Sequence, residues 1–405
     1  MNISVDGLKS KSVLPYHLSA EFQAFMQEIR ADKVALEHDG VFDPAPIIAK
    51  LKQHKFGALR LTTELGGQNL SIEQLFAVFM QLSRVDSNLT HIFHSHFQFV
   101  EEVLKHPNQA FKQLWLARIA DGKIISNALS EPSQNNVGSG RYDTHLSLHN
   151  QAYDLNGEKA FTTGTLYADY VLVRAQSVED QRVANVVVPA ARQGVEIYDD
   201  WDGIGQRFTA SGRTVFRQVV VQPDEILWFK PDALVHKPFA QLFIQAMIAG
   251  QTMAIEDAVS VLLKNRKRTF SYGSTEVAAN EPLFLEKVGE ISSINFIVEQ
   301  AVLQAARSLD QVLLHIDDEP EYQRSLKQAA LDTAKVKIAI DPLALHAADL
   351  MFEVVSASSM HRKLNLDQYW RNIRTLANHN PRSLKAKVVG DYVVNQQALP
   401  NISYF

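Results

Sequence analysis

The spacing of hydrophobic residues changes twice along this chain, and the two changes restrict the folds open to it. From about Leu18 to Leu116 apolar side chains recur at helical spacing, as in Phe22, Phe25, Met26 and Ile29 and again in Leu75, Val78, Phe79 and Leu82. Ser71, just after the Gly66-Gly67 break and with Glu73 and Gln74 in the next turn, reads as a helix N-cap. From Lys123 to Trp228 short β-favouring runs take over, among them Tyr170-Val171-Leu172-Val173 and Ala184-Asn185-Val186-Val187-Val188. Asn156-Gly157 is expected to form a hairpin turn after Tyr153-Asp154-Leu155. Beyond Lys230-Pro231 helical spacing returns from about Phe239 to Arg268, Pro282 to Ile316 and Glu321 to Ser356, with a last helix near Ser383 to Gln396. The expected class is α+β and multi-domain: an N-terminal helical domain over 1–122, a middle β-barrel or sandwich over 123–230, and a C-terminal four-helix bundle over 231–405.

Composition narrows the chemistry. A net charge of -5 over 405 residues leaves no basic field for nucleic acid. No uninterrupted apolar run approaches the roughly 20 residues that span a bilayer, and the first residues carry no signal-peptide pattern, so no membrane partner and a cytoplasmic location are expected. The chain has no cysteine, which removes disulfides, thiol nucleophiles and thiolate metal sites and leaves redox chemistry to an organic cofactor or a His/carboxylate metal site. The run His91-Ile92-Phe93-His94-Ser95-His96 offers imidazoles, but offsets of three and five do not bring all three onto one helical face, so no metal is expected. Gly138-Ser139-Gly140 and Gly203-Ile204-Gly205 lack the third glycine of a dinucleotide fingerprint, and no nicotinamide site is visible.

Several motifs, standing in one order from Asp39 to Pro381, resemble the acyl-CoA dehydrogenase superfamily. They are Asp39-Gly40-Val41-Phe42, Glu64-Leu65-Gly66-Gly67, Asn127-Ala128-Leu129-Ser130-Glu131-Pro132, Leu155-Asn156-Gly157-Glu158-Lys159 with Phe161-Thr162-Thr163-Gly164, and Gly203-Ile204-Gly205-Gln206-Arg207. The run Tyr369-Trp370-Arg371-Asn372-Ile373-Arg374-Thr375 through His379-Asn380-Pro381 resembles the family's catalytic loop without its glutamate. An amide cannot abstract a proton, so Asn380 cannot replace that base. Phe239 to Gly250, where some members carry the base instead, holds no carboxylate. Asp199-Asp200-Trp201, the histidine run and the 369–381 motif resemble the flavin-dependent monooxygenase branch, which includes dibenzothiophene monooxygenase and sulfur-acquisition enzymes.

That resemblance implies reduced FMN, with FAD as the alternative, delivered by a separate flavin reductase. It implies reaction with O2 through a C4a-hydroperoxyflavin, a small apolar or sulfur-containing substrate, and a homotetramer. His96, preferred over His91 and His94, and His379 are expected to handle the peroxide proton, and Thr163 to donate to the flavin N5 edge from a strand. Phe161 and Trp201 are expected to wall the ring. Leu129 and Ser130 would meet its pyrimidine edge, with Asn127 also among the cofactor-binding residues. Arg268 is expected to reach the phosphate across a subunit interface, or else to be an exposed basic helix end. FMN is preferred because Phe352 to Ser359 lacks the glycines of the FAD-binding turn, although Ser358 stands where the branch has an arginine. An FAD-dependent acyl-CoA dehydrogenase with another base, or a catalytically silent flavin binder, stays open at this level.

Overall fold

The computed structural model describes residues 15–38, 40–132, 141–149, 151–228, 237–355, 357–400 and 405. Asp39, the runs Ser133-Gln134-Asn135 and Gly138-Ser139-Gly140, the Lys230-Pro231 boundary and the side chain of Ser358 lie outside the described residues.

Six helices open the chain: α1 (Ala20–Leu36), α2 (Ala45–Gln53), α3 (Ile72–Val85), α4 (Ser87–Ile92), α5 (His94–Lys105) and α6 (Gln109–Ala120). Ser71 caps α3 as expected, its hydroxyl accepting from Gln74 N while the Gln74 side chain accepts from Ser71 N. This reciprocal pair satisfies two of the amides a helix start leaves open. Between α4 and α5 the chain breaks at Phe93, so the histidine run spans two short helices.

Among the described residues eight strands follow: β1 (Ile125–Ala128), β2 (His145–His149), β3 (Ala152–Lys159), β4 (Tyr170–Ser177), β5 (Val183–Pro189), β6 (Val195–Ile197), β7 (Thr214–Val221) and β8 (Ile226–Trp228). They form one mixed sheet in the order β6-β7-β3-β2-β4-β5-β8, with β1 parallel to β4. The expected turn at Asn156-Gly157 is corrected: β3 runs through these residues, and a register shift against β7 falls between Leu155 and Gly157. Gly157 has φ 148° there, and a Cβ on it would lie 2.6 Å from Thr144 Cα, so glycine serves a bulge and a close approach. The β2–β3 hairpin closes between His149 and Ala152.

The C-terminal part contains α7 (Lys237–Asn265), α8 (Pro282–Leu314), α9 (Glu319–Val355), α10 (Asp367–Ala377) and α11 (Arg382–Asn395). Its core helix α7 is long and apolar enough to cross a membrane, but the bundle and α3 bury most of it, which accounts for that composition. Gly250 lets α3 approach: a Cβ there would sit 2.5 Å from the Met80 carbonyl. Gln251 Nε2 then donates to the Ser83 carbonyl at 2.6 Å, and Ser83 Oγ donates to the Met247 carbonyl at 2.7 Å. The segment that resembles a catalytic loop is mostly the helix α10, whose Ile373, Leu376 and Ala377 face the core.

Candidate active site

The break at Phe93 sets which histidines share a surface. His91 and His94, three residues apart, stand side by side with ring centroids 6.1 Å apart, both half-buried. His91 Nδ1 lies 3.1 Å from Gln206 Oε1, and His94 Nε2 lies 3.1 Å from the Ala240 carbonyl at the start of α7. Both partners are acceptors, so these nitrogens carry the protons and the opposite nitrogen of each ring is a bare acceptor. Burial pushes His91 down to about 3, with repulsion from His94 and His379 adding to it. Burial likewise takes His94 down to about 4, against the pull of the Ala240 carbonyl. Both imidazoles are neutral at physiological pH.

His379 joins them from the turn between α10 and α11. Its ring stays open to solvent, yet crowding by the surrounding protein, then His94, Lys337 and Lys385, holds it well below the ordinary histidine value. The neighbouring Asn380 is buried, its Nδ2 donating to Gln241 Oε1 at 2.5 Å and lying 3.3 Å from His379 Nδ1. Where the resemblance places a catalytic glutamate, an amide is tied to a second amide on α7.

His96 is a correction to the expected trio. It is fully buried, its Nε2–H donates to the Gly57 carbonyl at 2.9 Å, and its Nδ1 accepts from Ile125 N at 3.3 Å. Both ring nitrogens are spent on main chain, joining α5 to β1 and to the turn after α2. A residue two positions beyond His94 lies on the other side of a helix, so the 3.6-residue period already carried this signal.

Gln206, in the Gly203–Arg207 motif, carries no catalytic signal in the sequence, and the structure makes it a junction. Its Nε2 donates to Ser87 Oγ at 2.7 Å, its Oε1 accepts from His91, and its own N–H donates to Asn372 Oδ1 of α10 at 2.8 Å. A second chain of contacts starts from its carbonyl. Thr209 Oγ1 donates there at 2.8 Å, Ser211 Oγ lies 2.7 Å from Thr209 Oγ1, and Thr163 Oγ1 lies 2.7 Å from Ser211 Oγ. Each hydroxyl has one proton, so once Thr209 gives its own to the carbonyl, Ser211 donates to Thr209 and Thr163 donates to Ser211. Thr163 Oγ1 is left as an acceptor, not the donor expected, and it stands in a turn beyond the end of β3. Ser126 Oγ donates to its carbonyl.

Phe161 has φ 56° and is 64% exposed, so a large apolar ring is held outward in a left-handed conformation that side chains seldom adopt. Trp201 meets it edge to face at 6.0 Å between centroids, its Nε1 donating to the Gly205 carbonyl at 3.2 Å. Gly203 makes this possible, since a Cβ there would fall 2.0 Å from the Trp201 ring. Asp200 is a support: it accepts from Arg213 N at 2.9 Å and pairs with Arg213 Nε at 2.6 Å. Leu129 and Ser130 leave the end of β1, Ser130 accepting from Ala160 N at 2.9 Å, while Asn127 lies within β1. Arg268 is exposed beyond the end of α7, with no hydrogen bond or ion pair from its side chain among the described residues. The helix alone separates it from Gln241 by about 36 Å, so one chain does not bring it to the histidines.

Residues 17–123 match the acyl-CoA dehydrogenase N-terminal domain and residues 126–219 the acyl-CoA dehydrogenase middle domain. The chain thus carries the N-terminal and middle domains of an acyl-CoA dehydrogenase. A dibenzothiophene monooxygenase of Mycolicibacterium goodii is 28% identical over 362 residues, covering 84% of this chain and 85% of that protein. A probable FMNH2-dependent monooxygenase of Pseudomonas putida is 27% identical over 353 residues, covering 84% and 85%. In structure, a methanesulfinate monooxygenase of Pseudomonas fluorescens superposes with a TM-score of 0.85 at 24% identity, over 94% of this chain and 99% of the other. The fold shared with that structure thus extends through the bundle, beyond the two matched domains.

Proposed function

We propose that this chain is a two-component flavin monooxygenase: it takes reduced FMN from a separate reductase and uses O2 to oxygenate a small sulfur-containing or apolar substrate. The observation that carries the reading is the replacement of a carboxylate base by three neutral imidazoles, His91, His94 and His379, beside the tied amides Asn380 and Gln241. Likeness over most of the chain to a dibenzothiophene monooxygenase and an FMNH2-dependent monooxygenase supports it.

The residues present fit a flavin. Phe161 and Trp201 offer an apolar wall, and the main chain of Leu129 and Ser130, with Asn127 behind it, offers polar contacts for a ring edge. Thr163 Oγ1, left as an acceptor, suits the N–H at N5 of a reduced ring and not the bare nitrogen of an oxidised one. Bound reduced FMN supplies the electrons that activate O2. The chain's own part is to exclude water and hold protons: His91 Nε2 and His94 Nδ1 present lone pairs without charge, and His379 closes the same space. In a homotetramer the exposed apolar side chains Phe296, Ile297 and Leu314 of α8 and Val393 and Val394 of α11 would be covered, and Arg268 of one chain would reach the phosphate bound by another. A cytoplasmic location goes with this reading, because the reductase must meet the protein there.

The deciding experiment loads the protein with FMNH2 anaerobically, adds 18O2 and dibenzothiophene or methanesulfinate, and reads the product by mass spectrometry. Incorporation of one 18O atom is expected. Bleaching of bound FAD by an acyl-CoA would overturn the reading in favour of a dehydrogenase, and failure to bind either flavin would leave a silent member.

A further inference from the structure

The turn that carries His379 and Asn380 is gripped on both flanks by α9. Before the turn, Lys337 Nζ donates to the Ala377 carbonyl, the last residue of α10, at 2.8 Å, and to Asp341 Oδ2 at 2.8 Å. After it, Arg382 Nε donates to the Ile338 carbonyl at 2.8 Å. That carbonyl is available for a reason written in the sequence. In a helix it should accept from residue 342, which is Pro342, and proline has no N–H. Neighbouring Lys337 and Ile338 therefore hold the two ends of one turn, the first through a buried ammonium and the second through a carbonyl that a proline has released.

Proline inside a helix costs about 3 kcal/mol relative to alanine, and a buried Lys–Asp pair adds little net stability over apolar side chains. Lys337 and Asp341 are 2% and 4% exposed, and Gln245 of α7 faces Asp341 without closing a well-formed hydrogen bond. Three unfavourable choices for a plain helical core thus converge on one four-residue turn.

We propose that Lys337, Asp341, Pro342 and Arg382 form a clamp whose task is to fix the His379–Asn380 turn against α7. They are positioning residues, and the proposal deepens the monooxygenase reading by naming what holds its third imidazole. Pro342→Ala separates this from ordinary core packing, because alanine restores the helical hydrogen bond to Ile338 and favours α9 while making that carbonyl share its lone pairs between the helix amide and Arg382, which weakens the hold on the turn.

The test compares Pro342→Ala, Arg382→Met and the double variant Lys337→Met/Asp341→Leu with the unaltered protein. Hydrogen exchange at Asn378 and His379 is read against the rest of the bundle, together with FMN affinity and product formed per FMNH2 consumed. Exchange about tenfold faster, confined to the turn, is expected in all three, with FMN affinity within about twofold, coupling reduced, and Pro342→Ala at least as heat-stable as its parent. Arg382 is exposed, so its variant folds even if the double variant does not. Unchanged exchange at the turn in Pro342→Ala and Arg382→Met overturns the clamp, as does an equal rise across the whole bundle. Faster exchange at the turn alone, with no sulfur compound oxygenated, upholds the clamp and counts against the proposed chemistry instead.

Discussion

Gln206 Oε1 lies 3.1 Å from His91 Nδ1, and this one contact fixes which nitrogen of His91 is bare. The amide can play this role because its nitrogen is committed to Ser87 at 2.7 Å, so only its oxygen can face the ring. Gln206→Leu leaves the His91 N–H and the Ser87 hydroxyl without partners and should cost about 2 kcal/mol of unfolding free energy, measured by denaturant titration. Gln206→Glu keeps the His91 contact, requires the Ser87 hydroxyl to turn and donate to the carboxylate, and sets a negative charge beside the ring, so the His91 pKa should rise, as NMR titration of the imidazole would show.

Removing His379 and removing His96 should have opposite signatures. His379→Ala is expected to lower the oxygenation rate by about 10²-fold or more with little change in melting temperature, whereas His91→Phe should lower the rate similarly and also destabilise the fold, because it strands the buried Gln206 Oε1. His96→Leu strands the Gly57 carbonyl and the Ile125 N–H and should lower unfolding free energy by about 2–4 kcal/mol. At a temperature where it stays folded it should keep its rate. A His379→Ala enzyme with full activity, measured in single turnover, would remove that residue from the site.

Acid should weaken the fold through the same ring. Folded His96 is pushed down to about 4 by burial, whereas an unfolded histidine takes its proton near 6.5. Between these values the unfolded state binds more protons, so stability is fully present above about 6.5 and declines as pH falls towards about 4. The His96 share of that loss is about 3 kcal/mol, and His96→Leu should flatten the profile of unfolding free energy against pH over this window.

The hydroxyl chain predicts a preference between redox states of the cofactor. Ser211→Ala removes the acceptor of the Thr163 proton, freeing Thr163 to donate outward and stabilise an oxidised ring. The ratio of FMNH2 to FMN affinity should fall by about five- to tenfold, read by anaerobic fluorescence titration. An unchanged ratio would show that Thr163 does not meet N5.

The capping box at Ser71 and Gln74, the strand runs and the long bundle helices were legible because each depends on neighbours within a few positions. Asn156-Gly157 misled for the same reason: the pair has turn chemistry, but its neighbour across the sheet, β7, uses it as a bulge. The motif from Tyr369 to Pro381 resembles a loop, yet Ile373, Leu376 and Ala377 carry helical spacing and most of it is helix.

Sequence alone determined the order of helical, strand and helical segments, the lack of cysteine and the amide at Asn380, since these are properties of residue identity and succession. Only the tertiary structure decided that His91 and His94 stand side by side while His96 is spent on main chain, that Gln206 orients His91, and that Thr163 is an acceptor. The reason is physical: a tautomer or a hydroxyl's direction is set by whatever partner comes within about 3 Å, and the partners of His91, His94, His96 and Thr163 lie from 29 to 146 positions away.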